Sequence, residues 1–259
     1  MYQEACKKGR VEESGKRDDF SERLKRVRVR IECAARSAGR DPAEIRVIAV
    51  TKTVAPERLR EAAACGCRTF GENRVQEAVA KMEAVRGTPG LEWHFLGPLQ
   101  SNKIKAILGR FALLHAIDRV AVAERLQGAL QEQNLLQEVL LEVNVSGEPS
   151  KHGFSPDTLV EATHQVATFT NLVVKGLMTI APAAVSSEES RRHFRHLKKL
   201  ASRLESERIP GLSIKELSMG MSGDFECAIQ EGATMVRIGS ALFGPRETKH
   251  RIGVIAGEI

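Results

Sequence analysis

From Ile45 onward the chain repeats one beat, a short β-branched or apolar run followed by an amphipathic helical stretch, eight times over. The spacing predicts strands at Arg46–Thr51, Arg68–Gly71, Glu92–Gly97, Leu113–Ile117, Val139–Val145, Val173–Ile180, Ile214–Ser218 and Met235–Gly239. Helices are expected between them at Pro56–Ala64, Arg74–Val85, Asn102–Leu108, Val120–Gln131, Pro156–Phe169, Glu188–Glu207 and Phe225–Glu231. Ser186-x-x-Glu189 forms a capping box, and Pro56 and Pro156 suit first-turn positions. Strict alternation of this kind demands parallel strands joined by right-handed crossovers. Eight strands close a (β/α)8 TIM barrel, whose usual length of ~250 residues matches a chain of 259. An open, doubly wound sheet is the alternative that beat counting leaves. Only Ser240–Gly244 follows the last strand before Pro245, so little chain remains there to cover the barrel. A preceding helix, Asp19–Ala38, carries Phe20, Leu24, Val27, Ile31, Ala34 and Ala38 on one face, stops at Gly39, and is expected to cover that flank. The expected organisation is a flexible tail over residues 1–18, one barrel over 19–246, and a C-terminal tail over 247–259.

The formal charge of +6, from 39 basic and 33 acidic residues, is mild and interspersed. Aromatics make up 4% of the chain and the basic stretches carry almost none, which argues against a base-stacking nucleic-acid platform. Lys25-Arg-Val-Arg-Val-Arg30 reads as a solvated helix face. No apolar stretch reaches membrane-spanning length, and the first residues lack the apolar region of a signal peptide. Five cysteines, an odd number, read as reduced thiols in a cytoplasmic protein, expected to be a monomer.

A barrel places chemistry just past the C-terminal ends of its strands. Those positions hold Thr51-Lys52-Thr53, Gly71-Glu72-Asn73, a third strand with His94, then Asn144, Met178-Thr179, Ser218 through Ser222, and Arg237 through Ser240. Lys52 follows Val-Ile-Ala-Val, where a buried strand emerges into the mouth. Partial burial favours a neutral amine, able to form a Schiff base with an aldehyde. The plain alternative is a rim lysine paired with Glu72. Ser222-Gly223 and Gly239-Ser240 each open a predicted helix, and small residues with exposed N–H groups after strands seven and eight favour a phosphate. Arg237 lies two residues before Gly239 and shares its side of the strand, aimed into the barrel. An amine, a phosphate cradle and an inward arginine fit pyridoxal 5′-phosphate (PLP), with Arg237 at the ring nitrogen.

Seven segments then carry a family resemblance. Ala-Val-Thr-Lys52-Thr, Phe-Gly-Glu-Asn73, Trp93-His-Phe-Leu-Gly-Pro-Leu-Gln-Ser-Asn-Lys103, Lys151-His-Gly-Phe154, Gly176-Leu-Met-Thr179, Leu217-Ser-Met-Gly-Met-Ser-Gly-Asp224 and Val236-Arg-Ile-Gly239 resemble the pyridoxal phosphate homeostasis protein family, in order. The resemblance implies a single barrel similar to the alanine racemase N-terminal domain, with Lys52 bearing the cofactor. It also implies phosphate contacts from Ser222, Gly239 and Ser240, with Arg237 near the pyridine nitrogen. Asn73, His94, Asn144, Met178 and Ser218 match motif positions around the pocket. Arg74 stands where the family commonly has tyrosine.

Carrier and enzyme readings divide on acid–base groups. A racemase needs one on each face of the substrate carbon, and racemases of this fold take the second from a tyrosine in another domain. The only tyrosine here is Tyr2, and the chain is expected to have no room for that domain. Arginine beside the ring nitrogen also disfavours its protonation, weakening the ring as an electron sink. The expected function is therefore PLP homeostasis: holding the cofactor on Lys52 and passing it transiently to PLP-dependent apo-enzymes, without amino-acid turnover. A racemase-like enzyme, a cofactor-free Schiff-base aldolase and a nucleic-acid module stand as rivals. His193 and His196 flank a packing stripe and read as surface residues; His115 reads as core and Cys227 as a small filler.

Overall fold

The computed structural model describes residues 19–182, 186–210 and 212–245, and the tails expected at 1–18 and 247–259 lie outside them. The eight strands are β1 (Arg46–Val50), β2 (Thr69–Glu72), β3 (Glu92–Phe95), β4 (Leu113–Ile117), β5 (Gln137–Glu142), β6 (Leu172–Met178), β7 (Glu216–Met221) and β8 (Met235–Ile238). They close into a barrel in sequence order, all pairs parallel, with β8 returning to β1. Closure removes the open-sheet alternative.

Helix α1 (Phe20–Ser37) precedes the barrel, capped by the Asp19 side chain accepting from the Ser21 N–H. Between the strands lie α2 (Pro56–Ala64), α3 (Val75–Ala84), α4 (Ile104–Ile107), α5 (Val120–Glu132), α6 (Leu159–Ala167), α7 (Ser187–Ser206) and α8 (Phe225–Gln230), and α9 (Ser240–Phe243) follows β8. The capping box at Ser186 forms, its hydroxyl accepting from the Glu189 N–H. Pro56 opens α2 as expected. Pro156 does not open α6: Ser155 and Thr158 share a side-chain hydrogen bond of 2.9 Å in a turn, and the helix begins only after it. Strand β7 also differs from expectation. Gly220, at φ +89°, resembles a loop residue in the sequence, yet the strand runs on to Met221 opposite Arg237 through a register shift. Ser218 therefore lies within the strand rather than at its end.

Because α9 is a single turn, α1 supplies the missing cover. Phe20 stacks on Phe243 with ring centroids 5.2 Å apart. Arg30 forks onto Glu226 at 2.7 and 2.8 Å while its guanidinium lies over the Phe225 ring. Arg40 donates to the carbonyls of Ile229 and Ala233. Part of the basic face of α1 is thus bound to the barrel's own last helices. Phe20 is 1% exposed, so Phe20→Ala is expected to cost about 3–5 kcal/mol, read as a lowered denaturation midpoint with an unchanged slope.

The main apolar core lies between the barrel wall and its helices. A smaller cluster fills the barrel interior: Ile48, Leu96, Leu113, Ala116, Leu140, Met178 and Met235, with Val50 against it. Strand side chains alternate, so Ile48 and Val50 set the inward parity of β1 and Lys52 continues it beyond the strand. Among the described residues Cys65, Cys67 and Cys227 are free thiols.

Candidate cofactor site

The turn that carries Lys52 is tied down on both sides. The Thr51 N–H continues the ladder to the Gly71 carbonyl, and the Thr51 hydroxyl donates to Glu72 at 2.6 Å. Thr53 sits at φ +66°, where a β-branched residue is strained, and its N–H donates to Glu77 at 2.7 Å. Lys81, on the buried face of α3, joins these elements: its ammonium bonds Glu72 and Glu77 at 2.6 Å each, and the Thr51 carbonyl. Glu72 is fully buried, and desolvation holds its pKa above the ordinary carboxylate value against the opposing pull of Lys81 and Thr51. The partner of Glu72 is therefore Lys81; the sequence had offered Lys52. Lys81 was missed because a charged residue on a helix reads as surface, although its spacing from Val75 and Ala78 places it on the buried stripe.

Lys52, Gly239 and Ser240 line one cavity of about 500 Å³, together with Val50, Thr53, Arg58 and Phe243. That volume suits a small organic ligand, and Lys52 and Arg58 favour an anionic one. At its β8 side the Ser222 hydroxyl accepts from the N–H groups of Gly239 and Ala241, both at 3.2 Å. Ser222 and Gly223 do not open α8 as expected. That helix starts at Phe225, after Asp224 turns back to accept from the Met221 N–H. Ser222 instead reaches across to the start of α9. Asn73 follows β2, with Oδ1 buried and without a hydrogen-bond partner, an acceptor that a donor-bearing ligand would satisfy. Its backbone runs so close to Gly97 that a Cβ there would lie 2.3 Å from the Asn73 carbonyl oxygen. Only glycine leaves that room.

Arg237 points into the barrel, buried, donating to the Ser218 hydroxyl at 2.6 Å and to the Thr179 carbonyl at 2.9 Å. Burial lowers its pKa to about 10, opposed by Glu142 and Asp224, so it stays charged at neutral pH. Glu142, at the end of β5, is pushed up to about 7, first by burial and then by Asp118, with Arg237 opposing. Since its folded pKa lies above the ordinary 4.5, the folded state binds this proton more tightly. Stability is then lost as pH rises through the window from 4.5 to about 7. Glu142→Gln is expected to flatten that decline and leave the protein about 1–3 kcal/mol more stable at pH 8 while changing little at pH 4. Parallel stability curves for the two proteins would contradict this origin.

Met178 belongs to the apolar cluster inside the barrel. His94 is sealed in the interior, bonded to Glu92 and His115 and away from the rim. Asn144 uses both ends of its amide on the loop after β5, donating to the Glu148 and Lys151 carbonyls and accepting from Ser146 and the Gly147 N–H. Glu142 was overlooked in the sequence, and its inward parity in β5 was the one signal available; His115, expected in the core, is fully buried there.

The family model for the alanine racemase N-terminal domain matches residues 23–247. Curated proteins named pyridoxal phosphate homeostasis protein match across nearly their whole length. The one from Aquifex aeolicus is 45% identical over 226 residues, covering 87% of this chain and 98% of its own. That from Escherichia coli K12 is 41% identical over 232 residues, covering 89% and 98%. The chain belongs to this family. Among solved structures, PipY of Synechococcus elongatus PCC7942, determined with PLP bound, shares 37% identity and superposes with a TM-score of 0.78, covering 87% of this chain and 100% of its own. Alanine racemase from Clostridium difficile 630, at 16% identity and a TM-score of 0.68, spans 90% of this chain and 58% of its own and shares the fold. Among the described residues no helix is long and apolar enough to cross a membrane.

Proposed function

We propose that this chain binds PLP reversibly and serves its homeostasis, holding the cofactor for delivery to PLP-dependent apo-enzymes without turning over amino acids. The observation that carries this is the cationic cavity shared by Lys52, Gly239 and Ser240. The cofactor supplies an aldehyde and a phosphate. Lys52 would supply the amine for that aldehyde. Ser222, Gly239 and Ser240 would hold the phosphate, with Arg237 toward the ring nitrogen and Asn73 and Met178 beside the ring. Ser218 acts behind Arg237, and Asn144 shapes the loop beside the mouth. Residues 19–246 form the binding unit, taken as monomeric and cytoplasmic, with no nucleic acid or membrane as partner.

The names of the relatives and the PLP-bound PipY structure support the ligand. Arginine at the ring nitrogen, and a lone tyrosine at Tyr2, support holding over turnover. Loaded protein mixed with an apo-enzyme is expected to restore that enzyme's activity, while the chain alone racemises and decarboxylates no amino acid. Enzyme-like turnover by the purified chain would sink the carrier reading.

A further inference from the structure

Four side chains connect Arg237 to the opposite mouth of the barrel. The Arg237 guanidinium meets the Ser218 hydroxyl at 2.6 Å, and Ser218 lies 2.9 Å from His115 Nδ1. His115 Nε2 is 2.9 Å from His94 Nδ1, and His94 Nε2 is 2.6 Å from Glu92. Ser218, His94 and His115 are fully buried. Glu92 stands at the N-terminal end of β3, 3.7 Å from Arg46 and partly exposed.

With both rings neutral, the carboxylate end fixes the direction of every bond up to Ser218. A guanidinium only donates and a carboxylate only accepts, while a neutral imidazole does one of each. Glu92 accepts from His94 Nε2–H, so the neutral His94 ring accepts on Nδ1 from His115 Nε2–H. The neutral His115 ring then accepts on Nδ1 from the Ser218 hydroxyl, whose lone pairs remain to accept from Arg237. Both rings are neutral and of one tautomer. Their surroundings agree: burial, then His94, Arg237 and Arg46, hold the His115 pKa well below the ordinary imidazole value. Burial lowers that of His94 too, with Arg46 adding to it and Glu92 and Glu216 opposing.

We infer that Ser218, His115 and His94 form a one-directional hydrogen-bond column that sets the guanidinium of Arg237 against the cofactor ring, making His115 a positioning residue for the bound cofactor. This rests on the PLP reading for the ligand, but the column is a property of the protein alone. Ser218, bonded to both His115 and Arg237, transmits the position.

The test has two arms. Nitrogen-15 NMR of histidine-labelled protein without PLP, assigned with His94→Gln and His115→Asn, is expected to show both rings neutral and protonated on Nε2 at pH 7. An Nδ1–H tautomer in either ring, or an imidazolium at His115, overturns the column. In the second arm PLP is titrated into variants. His115→Asn keeps an acceptor where Nδ1 stood and is expected to bind within about twofold of wild type. His115→Phe removes it and is expected to weaken PLP binding about tenfold and shift the visible band, with Lys52 still modified. A folded His115→Phe protein with wild-type affinity and spectrum overturns the positioning role. Should wild type fail to take up PLP at all, the cofactor reading falls, and the NMR arm still decides the column.

Discussion

Lys81→Met is expected to destabilise the protein by about 3–5 kcal/mol, the usual cost of stranding one partner of a buried ion pair. Glu72 has no exposed surface, and Lys81 is its charged partner at 2.6 Å. Without Lys81, burial acts on Glu72 with only the Thr51 hydroxyl bond against it and raises its pKa further above the unfolded value. The folded variant then keeps a proton that the unfolded chain gives up, so its deficit grows as pH rises above the ordinary carboxylate range. Denaturant melts at pH 5 and pH 8 measure this directly. Lys81→Met combined with Glu72→Gln should recover much of the loss, because a neutral amide needs no counter-charge. The local consequence reaches the site: the same ammonium holds the Thr51 carbonyl, one residue before Lys52. A deficit equal at both pH values would show that lost packing, and not the stranded carboxylate, is the cause.

The second large effect is at Lys52. Lys52→Ala is expected to abolish the visible Schiff-base band with PLP and to weaken binding about tenfold or more, equivalent to about 1.4 kcal/mol. Lys52→Arg separates charge from chemistry. It keeps a cation in a cavity also lined by Arg58 but offers no amine that can condense with an aldehyde. The arginine variant should therefore hold PLP non-covalently, more tightly than the alanine variant and without the band. Retention of the band in either protein would place the reactive amine elsewhere.

Much of the barrel was legible because its signals are local. Val-Ile-Ala-Val before Lys52, the Pro56 start and the Ser186 capping box each act within a few residues. The two-residue step from Arg237 to Gly239 is equally local, and it gave the arginine's inward direction. What escaped was set by partners far along the chain. Ser218 looked like a strand end because Gly220 resembles a turn, whereas pairing with β8 extends the strand past it. His94 and His115 are unrelated in sequence until β3 and β4 pair with His94 beside Leu113, which brings the two rings into hydrogen-bond contact inside the barrel. Lys81 escaped notice because its charge disguises its place on the buried stripe of α3, and its burial depends on Glu72 arriving from β2. Ser222 was expected to open α8 and instead bonds to the start of α9, since only the closed barrel brings the end of β7 against it.

The central claim is that Lys52 is the anchor for PLP. Borohydride reduction of the PLP-loaded wild-type protein, followed by peptide mass mapping, tests it most directly. The account predicts one reduced phosphopyridoxyl adduct, on the peptide carrying Lys52. An adduct concentrated on another lysine, or none at all, would contradict it.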